Sequence, residues 1–284
     1  MRRAMAHLLI FGLGYTAKRI AAAVEALGWS FEATGSDGSL DFGDSEAVGA
    51  AIARTTHILS SVPPDRESGD DPVLACYGEM LEGRALYYLS STGVYGDRQG
   101  AWVDEETPTI AQSGEGRRNA RAEADLAWLS MGARAFRLPG IYGPGRSAFD
   151  RIKEGKARRI DMPQQVFSRV HVDDIVSGVV AAMVQDAPRG AYNLGDDLPA
   201  SSNEVTEYAC RLLGIEQPPL ETLEEANLSD MARGFYMENR RVANGKAKRV
   251  LGWEPEYPTF IEGLESLFEP QAPEGTSVPL ASAP

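Results

Sequence analysis

Leu8-Leu9-Ile10-Phe11-Gly12-Leu13-Gly14-Tyr15-Thr16-Ala17 is the most informative stretch of this 284-residue chain. Four apolar residues in a row, with no polar alternation, suit a strand buried on both faces of a parallel sheet. Gly12 permits a tight turn after the strand, and Gly14 lets a ligand approach the backbone. Ala17 is small enough for the next helix to pack closely. Ala17, Ile20, Ala21, Val24 and Leu27 then recur at helical spacing, and Gly28 ends the run. A helix that starts at such a loop turns unpaired N–H groups and its positive dipole end toward it, which suits the pyrophosphate of a dinucleotide. Gly12, Gly14, Tyr15, Thr16 and Ala17 are therefore cofactor-binding candidates. A glycine pattern alone is weak, and the strand–loop–helix context is what raises it.

The alternation continues downstream. Phe31 to Thr34, His57 to Val62, Ala85 to Ser90, Ala135 to Leu138 and Ala191 to Leu194 read as strands. Ala47 to Ala53, Ala122 to Leu129 and Asp173 to Gln185 read as helices, and Ser201-Ser202-Asn203-Glu204 is a capping box that opens another. Strands alternating with helices, without hairpin signals, predict an α/β fold: a Rossmann doubly wound parallel sheet with a small C-terminal substrate domain. The dinucleotide-binding part is expected over 1–145 and 167–195, and the small domain over 146–166 and 196–269. The Pro-, Ala- and Ser-rich segment 270–284 reads as a disordered tail.

Composition narrows the partners. The chain is 43% hydrophobic and carries a net charge of −13. So acidic a surface repels phosphate backbones and anionic lipids, so neither nucleic acid nor membrane is an expected partner. A local basic pocket remains compatible with that net charge. Cys76 and Cys210 match no metal spacing, and with only His7, His57 and His171 no metal site is expected. The thiols read as reduced and partly buried. The apolar run after the first six residues is too short for a signal peptide, and no run reaches a membrane span, so the protein reads as cytoplasmic.

NAD sites often carry an acid at the end of the second strand to hold the ribose 2′-hydroxyl. Here that position falls at Gly35-Ser36, which is neutral. Ser36 leaves room for a 2′-phosphate, although no arginine stands ready to bind one. The cofactor is NADP or NAD, with a lean to NADP.

Several further segments resemble the extended short-chain dehydrogenase/reductase superfamily, the NAD-dependent epimerase/dehydratase group. They are Asp41-Phe42-Gly43-Asp44, Ser90-Ser91-Thr92-Gly93-Val94-Tyr95-Gly96, Arg137-Leu138-Pro139-Gly140-Ile141-Tyr142-Gly143, Arg169-Val170-His171-Val172-Asp173-Asp174 and Leu251-Gly252-Trp253-Glu254-Pro255. The resemblance implies that Ser91 is the catalytic hydroxyl. It implies that Asp41 and Phe42 meet the adenine, that Ser60, Ser61 and Val62 line the ribose side, and that Pro139 and Ile141 flank the nicotinamide. Arg146, Arg169 and His171 flank the presumed cleft as candidate substrate contacts.

The chain also departs from that pattern. Family enzymes use a tyrosine as acid/base, with a lysine four residues later that lowers its pKa. No tyrosine or lysine occurs between Gly96 and Ile141 here. The aligned positions are Glu115 and Asn119. This implies an atypical member. One reading is an oxidoreductase or epimerase-like enzyme with a non-standard acid/base, Glu115 being the candidate, acting on a small or nucleotide-sugar-like substrate. The other is a non-catalytic dinucleotide-binding sensor or scaffold. A homodimer is compatible with either.

Overall fold

The computed structural model describes residues 6–65, 67–113, 119–228, 233–234 and 236–268. Glu115 and the segment 270–284 lie outside them. Six strands form the central sheet: β1 (His7–Phe11), β2 (Ser30–Ala33), β3 (His57–Ser60), β4 (Ala85–Ser91), β6 (Arg134–Leu138) and β10 (Gly190–Asn193). Their order is β10-β6-β4-β3-β1-β2, and every pairing is parallel. Three short parallel pairs lie outside that sheet. They join β5 (Trp102–Val103) to β12 (Arg241–Val242), β7 (Gly140–Tyr142) to β9 (Arg169–His171), and β8 (Arg159–Ile160) to β11 (Leu220–Glu221).

Helices cover both faces. On one side α1 (Tyr15–Ala26) and α7 (Val172–Val184) pack on Leu8, Ile10, Tyr87 and Phe136. On the other, α2 (Ser45–Arg54), α3 (Pro72–Tyr77) and α5 (Ala120–Ser130) cover Leu9, Phe11, Leu86 and Tyr88. Successive residues of β1 thus enter opposite cores, which is why the run is apolar throughout rather than alternating. Leu8, Leu9 and Ile10 are fully buried, and each such side chain is worth roughly 1.5–3 kcal/mol of transfer free energy. Trp128 of α5 stacks on Tyr88 at 5.4 Å between ring centroids, and its indole N–H donates to Asp71 at 2.8 Å. Asp71 also caps α3, accepting from the N–H groups of Val73 and Leu74. The sequence reading passed over α3, because a helix this short shows no full apolar period; the Asp-Pro start was its available signal.

The strand expected over His57 to Val62 ends at Ser60. Pro63 and Pro64 follow, and a residue before proline is pushed toward extended, unpaired geometry. Beyond the sheet, α6 (Ala148–Lys153), α8 (Ser202–Leu213) and the last described helix, Phe260–Leu267, share a separate apolar cluster around Ala209, Phe260 and Leu264. The helix Gly245–Leu251, with Trp253, joins the core of α1 and α7, beside α7 and β10. Cys210 is buried and Cys76 is exposed. Among the described residues no helix is long and apolar enough to cross a membrane, and no group of three or more His, Cys, Asp or Glu is placed to hold a metal ion.

Candidate functional site

The connections leaving β1 and β3 run to opposite sides, because β2 lies on one flank of β1 and β3 on the other. Strand ends diverge at such a reversal and leave a crevice at the carboxyl edge of the sheet. The glycine loop sits there, pressed between the ends of two strands. Gly12 has φ +85°, and a β-carbon on it would lie 3.0 Å from Ser61 Oγ and 3.1 Å from Val62 Cγ2. Ser61 Oγ donates to the Gly12 carbonyl at 2.5 Å. From the β2 side, Thr34 Oγ1 accepts the Gly12 N–H at 3.2 Å and the Thr34 carbonyl accepts that of Leu13 at 3.0 Å. Gly14 differs from Gly12: a β-carbon there would meet nothing within 4 Å. It is the N-cap of α1, and no side chain caps that helix or places an acid in its first turn. The helix N-terminus therefore offers its amides and dipole to the space in front of Gly14.

That space opens into a cleft of about 1180 Å³ between the sheet edge and the α6–α8 cluster. Of the expected cofactor residues, Gly14, Tyr15, Thr16, Ala17, Ser61, Pro139 and Ile141 line it. Ser91, Arg146 and Arg169 line it as well. Gly12, Ser36, Asp41, Phe42, Ser60, Val62 and His171 do not. Ser60 is fully buried within β3, and Val62 faces a smaller neighbouring cavity with Pro63 and Pro72. Asp41 is exposed and accepts the Gly43 N–H at 2.9 Å. Phe42 turns its ring inward, edge-on to Phe11 at 6.2 Å and Tyr77 at 5.3 Å. Ser36 lies exposed in the turn after β2, beside an ion pair between Lys18 and Asp37. The sequence reading missed Lys18, because α1 and the β2 turn meet only in three dimensions.

The candidate substrate contacts differ in their freedom. Arg146 is exposed, and its guanidinium lies 5.9 Å from the centre of the Tyr15 ring. Among the described residues its guanidinium makes no hydrogen bond or ion pair, while its backbone pairs with Gly143. Arg169 is engaged, donating to the carbonyls of Phe167 at 2.8 Å, Ala200 at 2.7 Å and Ser201 at 3.2 Å. It thereby fastens β9 to the start of α8. His171 is 1% exposed. Its Nδ1 accepts the Asp173 N–H at 3.3 Å and so caps α7, with the rings of Tyr142 and Tyr257 packed on either side. Burial lowers its pKa below the ordinary histidine value, so it is neutral at pH 7.

Ser91 ends β4 and accepts the Gly93 N–H at 3.1 Å, which leaves its own hydroxyl proton free to be donated. Below it lies a buried polar network. Asp125 takes hydrogen bonds from Ser90 at 2.6 Å and from both Nε and Nη2 of Arg137, and Arg137 Nη1 donates to Tyr95 at 3.0 Å. Tyr95 in turn donates to Asn193 at 2.8 Å. Burial pushes the Tyr95 phenol up to about 12, which removes it as an acid/base at neutral pH. Where a lysine would stand in the family pattern, Asn119 caps α5 and its side-chain amide donates to the Gly93 carbonyl at 3.4 Å.

Arg240 is the group that sequence reasoning did not find. It comes from the far end of the chain, lines the same cleft, and donates through Nη1 to the Gly96 carbonyl at 2.7 Å and to Glu238 at 2.5 Å. No motif marks it. Among the described residues, six arginines (Arg121, Arg146, Arg151, Arg158, Arg169 and Arg240) line the cleft against three carboxylates, Asp150, Glu154 and Glu238. In a chain of net charge −13 this is a local reversal of sign that draws in anions.

No family model matches the chain. It is 39% identical to a functionally unknown conserved protein from Silicibacter pomeroyi DSS, whose solved structure superposes with a TM-score of 0.80, covering 93% of this chain and 98% of that one. A 3-diazoavenalumate denitrifying reductase from a Streptomyces species is 34% identical over 154 residues, 50% of this chain and 48% of that protein. The chain thus matches about half the length of that relative. The human epimerase family protein SDR39U1 (isoform 2), solved with NADPH, is only 14% identical but has the same fold, with a TM-score of 0.72 over 92% of this chain and 98% of that one.

Proposed function

Since the chain has the fold of the extended short-chain dehydrogenase/reductase superfamily and belongs to one family with the Silicibacter pomeroyi protein, we propose that it binds a nicotinamide dinucleotide and reduces a small acceptor in the cleft. The observation that carries this reading is the uncapped start of α1 behind Gly14, open to the cleft that Ser91 also lines. Bound there, the dinucleotide supplies the hydride. Gly14 and the α1 amides would hold its pyrophosphate, and Pro139 and Ile141 would give its ring an apolar seat. Ser91 donates a hydrogen bond to the acceptor. The Streptomyces relative is named a reductase, and reduction fits a cleft without a tyrosine–lysine pair better than epimerisation does. An epimerase must move a proton in both directions, whereas a reductase can take its proton from water.

NADPH is the preferred form. Ser36 leaves the end of β2 uncharged, and the half-exposed Lys18 stands beside it. Titration of reduced-nicotinamide fluorescence tests both points. NADPH binds more tightly than NADH, Lys18→Ala weakens NADPH by about tenfold while sparing NADH, and Gly14→Asp abolishes both. A wild-type protein that binds neither cofactor overturns the reading. A non-catalytic sensor is the second reading, favoured by the absence of tyrosine and lysine from Gly96 to Ile141. Tight cofactor binding with no oxidation of NADPH across a panel of carbonyl and diazo compounds would select it.

A further inference from the structure

We propose that Arg240 is the substrate-facing cation of this cleft, acting with Ser91 on one anionic or developing-anionic oxygen, and that the acceptor is a small organic acid or oxo compound carrying that oxygen. The inference rests on the reductase reading and deepens it. Gly93 provides the geometry. A β-carbon built on it would lie 3.3 Å from Ser91 Oγ and 4.0 Å from Arg240 Nη2, so the hydroxyl and the guanidinium flank one point on the cleft wall. No side chain stands at that point, because residue 93 has none.

Both groups are oriented to donate. Ser91 Oγ already accepts the Gly93 N–H, so its proton points elsewhere. Arg240 uses Nη1 for Gly96 and Glu238, and among the described residues Nη2 makes no hydrogen bond. A planar guanidinium pinned along one edge presents the other in a fixed direction, at little entropic cost when a ligand arrives.

The pinning has a structural cause. Asn239 donates its N–H to Asp97 at 2.9 Å, and its carbonyl accepts the N–H groups of Arg98 at 3.0 Å and Gly100 at 2.9 Å. Arg241 then pairs with Trp102 in the β5–β12 ladder. Arg240 is therefore clamped on both sides to the segment that follows Gly96. The rest of the cleft suits an organic anion, with Leu138, Ile141, Phe167 and Tyr236 offering apolar surface beside the charged end.

The chemistry balances without a protein acid. A bound reduced nicotinamide would supply hydride to the acceptor carbon and be left oxidised, the π pair of the C=O or conjugated system moving onto the oxygen. Ser91 and Arg240 would hydrogen-bond that oxygen as its charge grows, and water would supply the proton. A fixed cation takes the part usually played by the family's tyrosine.

The test uses the full chain saturated with NADP⁺, titrated with benzoate and followed by calorimetry. Wild type binds benzoate, Arg240→Met weakens it at least about tenfold, and Arg240→Lys retains part of the affinity. NADPH binding, read separately by fluorescence, is unchanged in both variants. If Arg240→Met fails to fold by its melting curve, Arg240→Gln and Arg240→Lys decide the matter. Equal benzoate affinity in a folded charge-free variant and the wild type overturns the proposal, as does a wild type that binds no benzoate. A wild type that fails to bind NADPH overturns the reductase reading instead, and benzoate titration of the cofactor-free protein then judges Arg240 alone.

Discussion

Gly14 and Gly35 lack side chains for different reasons, and the difference is measurable. Gly35 has φ +117°, and a β-carbon there would sit 3.0 Å from the Leu13 nitrogen. Gly35→Ala should therefore destabilise the protein by about 1–3 kcal/mol in urea unfolding, through backbone strain and a backbone clash. Gly14 has φ −87° and open space where its β-carbon would be. Gly14→Ala should leave stability within about 0.5 kcal/mol of wild type and weaken NADPH binding at least tenfold, because the methyl occupies the approach to the α1 amides. Gly14 was legible in the sequence through the strand–loop–helix rhythm around it. Gly35 was not, because its need arises from contact with a loop distant in sequence, and neither were Lys18 and Arg240, for the same reason. His171, expected as a substrate contact, is buried outside the cleft lining and caps α7. That capping was not legible, because it depends on the rotamer.

Among the elements, the carboxyl end of β4 carries Ser91, and the network beneath it fixes where Ser91 lies. The Arg137–Asp125 pair bridges β6 and α5, with side chains 3% and 1% exposed. Removing one partner strands the other charge in a dry environment. Arg137→Met should thus cost about 3–5 kcal/mol, read as a lowered urea midpoint with an unchanged m-value. The compensated change Arg137→Met with Asp125→Leu should recover most of that loss. The strands themselves were the most readable elements, since doubly buried runs such as Leu8 to Phe11 have no competing period. Boundaries were less readable, as β3 shows before Pro63. We propose that residues 245–253 belong with the sheet rather than with the α6–α8 cluster, given where Ala247, Leu251 and Trp253 are buried. Their apolar spacing says that they pack but not against what.

At the scale of the molecule, two buried carboxylates behind the cleft make stability depend on pH. Asp196 is 2% exposed, and burial pushes its carboxyl up to about 7 despite the neighbouring Arg169. Burial likewise raises Asp174 to about 6, against the hydrogen bonds it accepts from the N–H groups of Glu256 and Tyr257. A carboxyl whose pKa is raised on folding holds its proton more tightly in the native state. Its contribution is fully present below the unfolded value near 4 and is lost as pH rises through the folded value. Urea unfolding should accordingly show wild type losing stability between about pH 4 and pH 7 relative to Asp196→Asn, by up to about 4 kcal/mol, three pKa units at 1.36 kcal/mol each. A difference that grows in the opposite direction would refute the assignment.

The clamp between β5 and β12 sets an order in time. The Arg240–Gly96 hydrogen bond spans 144 residues of chain. A polypeptide leaving the ribosome presents β1 to β4 long before residue 240 has been translated. Closing so long a loop comes late and slowly, because its entropy must be met before the contact returns anything. The glycine loop should therefore mature before the wall that carries Arg240. Pulse-labelled hydrogen exchange during refolding should find the Leu8 to Ile10 amides protected earlier than those of Arg241 and Ala243. In a new chain, competence to hold a dinucleotide would then precede competence to use it. On the reading proposed above, the docking of Arg240 against Gly96 would be the step that completes the cleft wall.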